Sequence, residues 1–161
     1  MFSRRRLALL LPLATAPRAL GAQPGVSQPQ PPLPTEPLVI ETGRGEPLRF
    51  NVEMAIAPEQ QMIGLMFRPS VAPDGGMLFD WGAPRESAMW MRNTITSLDM
   101  VFIRADGRIH RIAERTVPLS LNTIESRGPV RATLELAAGT AARLDIRPGD
   151  LVRQRIFGNA P

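Results

Sequence analysis

Apolar and polar residues alternate along much of this chain with a period of two, broken at short intervals by glycine and proline. Leu48, Phe50, Val52, Met54 and Ile56 alternate with Arg49, Asn51, Glu53 and Ala55, which predicts a strand with one buried face. Val130, Ala132, Leu134 and Leu136 alternate with Arg131, Thr133 and Glu135 in the same way. Leu98, Met100 and Phe102 alternate with Asp99, Val101 and Ile103, giving a strand apolar on both faces except at one carboxylate. Asp106-Gly107 is a hairpin turn signal leading into Arg108–Ile112. Arg147-Pro148-Gly149-Asp150 is a second turn, feeding a last strand over Leu151–Phe157. Helical signals are few. Pro58 suits a first helical position, Met62, Leu65 and Met66 fall on one helical face, and Arg68-Pro69 closes the segment. A second short helix is predicted near Thr140–Leu144. The expected fold is mostly β: a small single-domain barrel or sandwich with one or two short helices.

The chain ends have a different character. Residues 1–22 open on Arg4-Arg5-Arg6, continue through the apolar run Leu7–Leu13 and exit through small residues, Ala19-Leu20-Gly21-Ala22. That order is an export signal peptide, with a twin-arginine-like head, and its apolar run is too short to form a stable membrane anchor. A periplasmic or secreted location follows as an expectation. Residues 23–37, QPGVSQPQPPLPTEP, carry six prolines and little to bury, so a disordered, polyproline-stiffened tether is expected. The β-rich domain is placed at 38–157, followed by a C-terminal tail at 158–161.

All 19 basic residues are arginine. Four of them precede Gln23, which leaves 15 against 15 acidic residues. The remainder is formally neutral, and its arginines are scattered, so nothing marks a nucleic-acid footprint. With no cysteine there is neither a disulfide framework nor a thiolate nucleophile or metal ligand, and the hydrophobic core must hold the fold alone.

A series of short motifs occurs in fixed order: Gly64-Leu65-Met66 with Arg68, Gly76-Met77-Leu78-Phe79, Trp90-Met91-Arg92-Asn93-Thr94, Leu98-Asp99-Met100-Val101-Phe102, Leu134-Glu135-Leu136 with Gly139, and Gly149-Asp150. The set resembles the domain of unknown function 192 family of bacteria and archaea, from Phe50 to Val152. Met89, where an aromatic residue is commoner, and Arg92, where lysine is usual, depart from the family pattern. The resemblance implies a compact β-rich domain, frequently exported, and brings no established activity with it.

Candidate chemistry is sparse. Seven methionines lie between Met54 and Met100, and Met89-Trp90-Met91 resembles a thioether-and-indole copper(I) site. Strand parity, however, sends both methionines to one face and Trp90 to the other. Core packing is therefore the reading, with no metal site, and a methionine-based copper(I) carrier is kept as the second alternative. His110, the single histidine, reads as a solvated strand residue. No nucleophile elbow and no phosphate-binding loop are present, and there is no lysine for a Schiff base, so no cofactor is expected. A carboxylate-dependent glycan hydrolase built on Asp99 and Glu135 is the first alternative.

What stands out is a group of polar residues in apolar surroundings: Arg68, Asn93, Thr94, Asp99 and Glu135, with Trp90 beside them. Each carboxylate needs a specific partner when buried, and arginine, Arg68 for Asp99, is the natural one. The cluster either fixes strand register as an ion-pair network or lines a pocket for a small molecule, a sugar or a carboxylate, with Trp90 or Trp81 as an apolar wall. The sequence thus reads as an exported binding or accessory module of the cell envelope without evident enzymatic machinery.

Overall fold

A computed structural model describes residues 25–160. The export signal expected over residues 1–22 lies outside these described residues. Among the described residues nine strands and two short helices follow one another: β1 (Thr35–Glu41), β2 (Leu48–Ala55), α1 (Pro58–Ile63), β3 (Met77–Arg85), β4 (Ala88–Met89), β5 (Leu98–Ile103), β6 (Ile109–Ala113), β7 (Ile124–Glu125), β8 (Val130–Ala137), α2 (Thr140–Arg143) and β9 (Leu151–Arg153). A 3-10 turn over Arg155–Phe157 follows β9.

Seven strands form one sheet in the order β6-β5-β8-β3-β2-β1-β9, and β4 pairs with β7 alone. Only β2 and β3 are parallel, and parallel neighbours require a crossover. Residues 56–76, with α1, supply it. The sheet curls until its outermost strands meet at one end. There Ile109 N donates to Asp150 O at 2.9 Å and Val152 N donates to Gly107 O at 2.8 Å. Gly107 has φ +83°, and a Cβ there would lie 2.5 Å from Val152 O. Only glycine fits this closure.

Period-two alternation sorts the core into two layers. Leu38, Ile40, Phe50, Val52, Leu78, Val101, Ile103, Leu134 and Leu136 fill the concave side with Ile146 and Val152. Met77, Phe79, Leu98, Met100 and Phe102 project from the other side, where Leu65 and Met91 cover them. β8 is buried on both faces from Ala132 to Leu136, although its alternation predicts one polar face. Crossover and loop segments cover the central strands, so Thr133 and Glu135 are enclosed together with their apolar neighbours.

Several expectations shift by a few residues. The strand predicted through Ile56 stops at Ala55, and Ile56 is half exposed. α1 ends at Ile63, so Met62 points outward while Leu65 and Met66 are buried in the turns that follow. The last strand is only Leu151–Arg153, because Gln154 Oε1 accepts Ile156 N at 2.8 Å and caps the 3-10 turn. β1 begins at Thr35, ahead of the boundary placed at Leu38. Before it, Gln30 is buried and its Nε2 donates to Gly64 O at 2.9 Å, and Leu33 N donates to Glu53 Oε2 at 2.7 Å. The C-terminal half of the proline-rich segment is thereby held against the domain.

A cleft with a buried carboxyl on its floor

Glu135 lies on β8 between two methionines, Met77 of β3 and Met100 of β5. Gly76, with φ +158°, makes this packing possible: a Cβ there would sit 2.5 Å from Glu135 O. The Glu135 side chain projects from the convex face of the sheet and is 4% exposed. No hydrogen bond or salt bridge joins its carboxyl to any described residue. Burial without a compensating charge pushes its pKa up from 4.5 to about 8, so the group is protonated at neutral pH.

The carboxyl is not sealed in. It forms part of the floor of a cleft of about 560 Å³ bounded by α1, the far half of β3 and the loop that carries β4. Phe79, Trp81, Met62, Met66, Met89 and Trp90 give it apolar and aromatic walls, and Arg85, Glu86, Ser87 and Thr94 stand among them. α1 is fixed in place by Gln61, whose Nε2 donates to Ala55 O at 3.1 Å and to Asp80 O at 2.7 Å. Trp81 stacks on Phe79 with ring centroids 5.7 Å apart and donates from Nε1 to Thr133 Oγ1 at 3.2 Å. Arg85 lies over the Trp81 ring, 4.5 Å from its centroid. Arg92 lies likewise over Trp90, at 5.4 Å.

The six residues singled out from sequence do not form one cluster. Glu135, Thr94 and Trp90 line the cleft. Asn93 sits next door, in a smaller cavity shared with Met62, Met66 and Trp90, and holds a left-handed backbone at φ 57°. Arg68 pairs with Glu53, not Asp99: its two terminal nitrogens reach Oε1 and Oε2 at 2.9 and 3.0 Å. Asp99 needs no arginine. Its Oδ1 accepts Arg115 N at 2.9 Å and its Oδ2 accepts Ala141 N at 2.9 Å, so it ties β5 to the start of α2. Because Asp99 lies opposite Leu136 in the ladder, and Glu135 is the next residue, the two carboxyls project from opposite faces of the sheet. They cannot flank one glycosidic bond, and that pairing is dropped as a hydrolytic site.

β4 ends at Met89, so strand parity does not run through the methionine box. Met89, partly buried, and Trp90, exposed, both line the cleft, whereas Met91 is fully buried. Met91 Sδ accepts the Thr116 hydroxyl at 3.2 Å. Trp81, a candidate apolar wall from sequence, does line the cleft, whereas Arg85 was not collected from sequence. Gly82-Ala83-Pro84 reads as a turn, yet β3 continues through it with a break in its pairing to β8 between Asp80 and Arg85. Gly82 N donates to Asp80 Oδ1 at 2.8 Å within that irregular stretch. A period-two count carried on from Met77 through Phe79 and Trp81 to Arg85 was the available signal.

The same geometry has relatives. A solved structure of a candidate transcription regulator from Sinorhizobium meliloti 1021 is 44% identical, with a TM-score of 0.76, over 79% of this chain and 98% of that one. A protein of unknown function from Novosphingobium aromaticivorans DSM 12444 is 37% identical, with a TM-score of 0.74, over 88% of this chain and 99% of that one. A search among curated proteins finds no match. The profile of the DUF192 family, described as "Uncharacterized ACR", matches residues 39–154. The chain therefore belongs to the DUF192 family.

Proposed function

We propose that this protein is an exported, single-domain binding module of the cell envelope, and that the Glu135 cleft is the seat of a small-molecule ligand. One observation carries the reading: a carboxyl that is almost fully buried, bonded to no described side chain or amide, on the floor of an open cleft walled by aromatic and thioether groups. Burial of an unpartnered carboxyl opposes folding, and such a cost is commonly retained where a ligand uses the group. Apolar walls with a few convergent polar groups are the usual make-up of small-molecule sites. Export rests on the basic head, short apolar run and small-residue exit of residues 1–22.

Native mass spectrometry of the protein purified from the envelope fraction of its own cells tests both parts. A mature mass starting near Gln23, with an additional small molecule retained by the parent and lost in Glu135→Gln, is the expected result. A mass that still includes Met1 contradicts export. A parent protein that carries nothing, or a retained molecule unaffected by Glu135→Gln, contradicts the cleft as its seat.

A further inference from the structure

We infer that the cleft binds a free amino acid with an apolar side chain, its ammonium at Glu135, its carboxylate at Arg85 and its side chain against the methionine and tryptophan wall. This rests on the reading of the cleft as a ligand seat and says what the ligand is.

The two ends of the cleft are chemically opposite. At the floor, Glu135 has no donor of its own among the described residues, and a buried carboxyl is best satisfied by a cation that brings several N–H groups. At the rim, Arg85 is exposed and its guanidinium forms no ion pair or hydrogen bond with a described residue; it lies over the Trp81 ring, 4.5 Å from the centroid. Trp81 is itself anchored to Thr133, two residues before Glu135 on the same face of β8. Arg85 and Glu135 thus line one cleft, from its rim and from its floor. A free amino acid carries an ammonium and a carboxylate on one small molecule and can meet both groups within that cleft. Met62, Met66, Met89 and Trp90 leave an apolar wall for the remainder of the ligand.

A neutral sugar would use the floor only as an ordinary hydrogen-bonding group and would leave Arg85 without a partner. An anion alone would meet the guanidinium but leave the floor unpaired. The ammonium uses both features: Glu135 ionises as the ligand enters, and its proton passes to solvent. At pH 7 that ionisation costs a factor of about ten, which a charge-assisted pair in a low-dielectric site outweighs.

Isothermal titration at pH 7 in two buffers of different ionisation enthalpy provides the test. The probes are L-leucine, its decarboxylated analogue 3-methylbutylamine, its deaminated analogue 4-methylpentanoate, and glucose. L-leucine is expected to bind with release of about one proton, and each analogue at least tenfold more weakly. Glu135→Gln, which keeps the shape of the protonated carboxyl, should abolish proton release and weaken L-leucine at least tenfold. Arg85→Gln should weaken L-leucine and leave 3-methylbutylamine unchanged. The inference is overturned if 4-methylpentanoate matches L-leucine, if no proton is released, or if neither amine binds at millimolar concentration. Glucose binding lost in Glu135→Gln, without amine binding, would overturn the amino acid and leave the cleft reading standing. No binding by any probe, together with an empty protein in native mass spectrometry, would remove both.

Discussion

Two buried carboxyls one residue apart in the β5–β8 ladder show how environment divides a single chemistry. Asp99 has a backbone amide for each oxygen and fastens β5 to α2. Asp99→Asn would turn one of its acceptors into a donor facing an amide, and about 2–3 kcal/mol of stability should be lost. A fall in the urea midpoint at constant slope would show this. An unchanged midpoint would mean that the two amide contacts contribute little. Glu135 has no such partners and should behave in the opposite way. Its native pKa is raised from 4.5 to about 8, so the folded chain keeps a proton that the unfolded chain releases between those pH values. Stability therefore falls as pH rises through that window, and the loss is complete above it. Glu135→Gln should match the parent near pH 4.5 and exceed it by about 2–4 kcal/mol near pH 8.5. Thermal melts of both proteins across this range decide the matter; parallel pH profiles would count against a protonated native carboxyl.

At the scale of elements, the Arg68–Glu53 pair acts as a latch. Glu53 receives both terminal nitrogens of Arg68 and also the amide of Leu33, and Arg68 in turn reaches Gln30 O at 3.4 Å. Crossover, β2 and the segment ahead of β1 meet at this carboxylate. Glu53→Gln should cost about 1–3 kcal/mol, since both groups are mostly buried and the guanidinium would be left without its counter-charge. It should also hasten proteolysis within residues 25–34, and cleavage at the parental rate would show that the segment is held by other contacts. The alternation of Leu48–Met54 was enough to place β2, and the apolar run Leu98–Ile103 closed by the Asp106-Gly107 turn was enough to place β5. The strand β1 was hidden by Pro37, tolerated because β9 pairs only with Val39–Glu41 and leaves that part of β1 at an edge. The far half of β3 was hidden by Gly82 and Pro84. Of the site, Glu135 and Trp90 were legible as misfits of residue type. Their separation from Arg68 and Asp99 was not, because sequence gives the face of a residue only within its own strand, whereas ion-pair partners are set by how strands and loops come together.

For the whole molecule, the curl of the sheet is what makes the architecture: a concave core and a separately covered convex face on which the cleft rests. The seam between the turn before β6 and β9 depends on Gly107, where a Cβ would collide with Val152 O. Gly107→Ala should cost about 1–3 kcal/mol through the close approach and the left-handed backbone together. Hydrogen exchange should then quicken at Ile109 and Val152, whose amides close the seam, and not at β5 or β8. Uniform acceleration across all strands would show that the seam and the sheet open as one unit.

The state of the Glu135 carboxyl is where fold, cleft and proposed ligand meet, and it can be read directly. Carbon-13 NMR of the side-chain carboxyl, assigned by its disappearance in Glu135→Gln, follows its titration in the intact protein. A midpoint near 8 is expected in the free protein, because burial leaves the group without a partner. With saturating L-leucine the signal should already be that of a carboxylate at pH 7. A midpoint near 4.5 in the free protein would mean that the carboxyl is well solvated or already paired, and would contradict its role as the unsatisfied floor of a binding site.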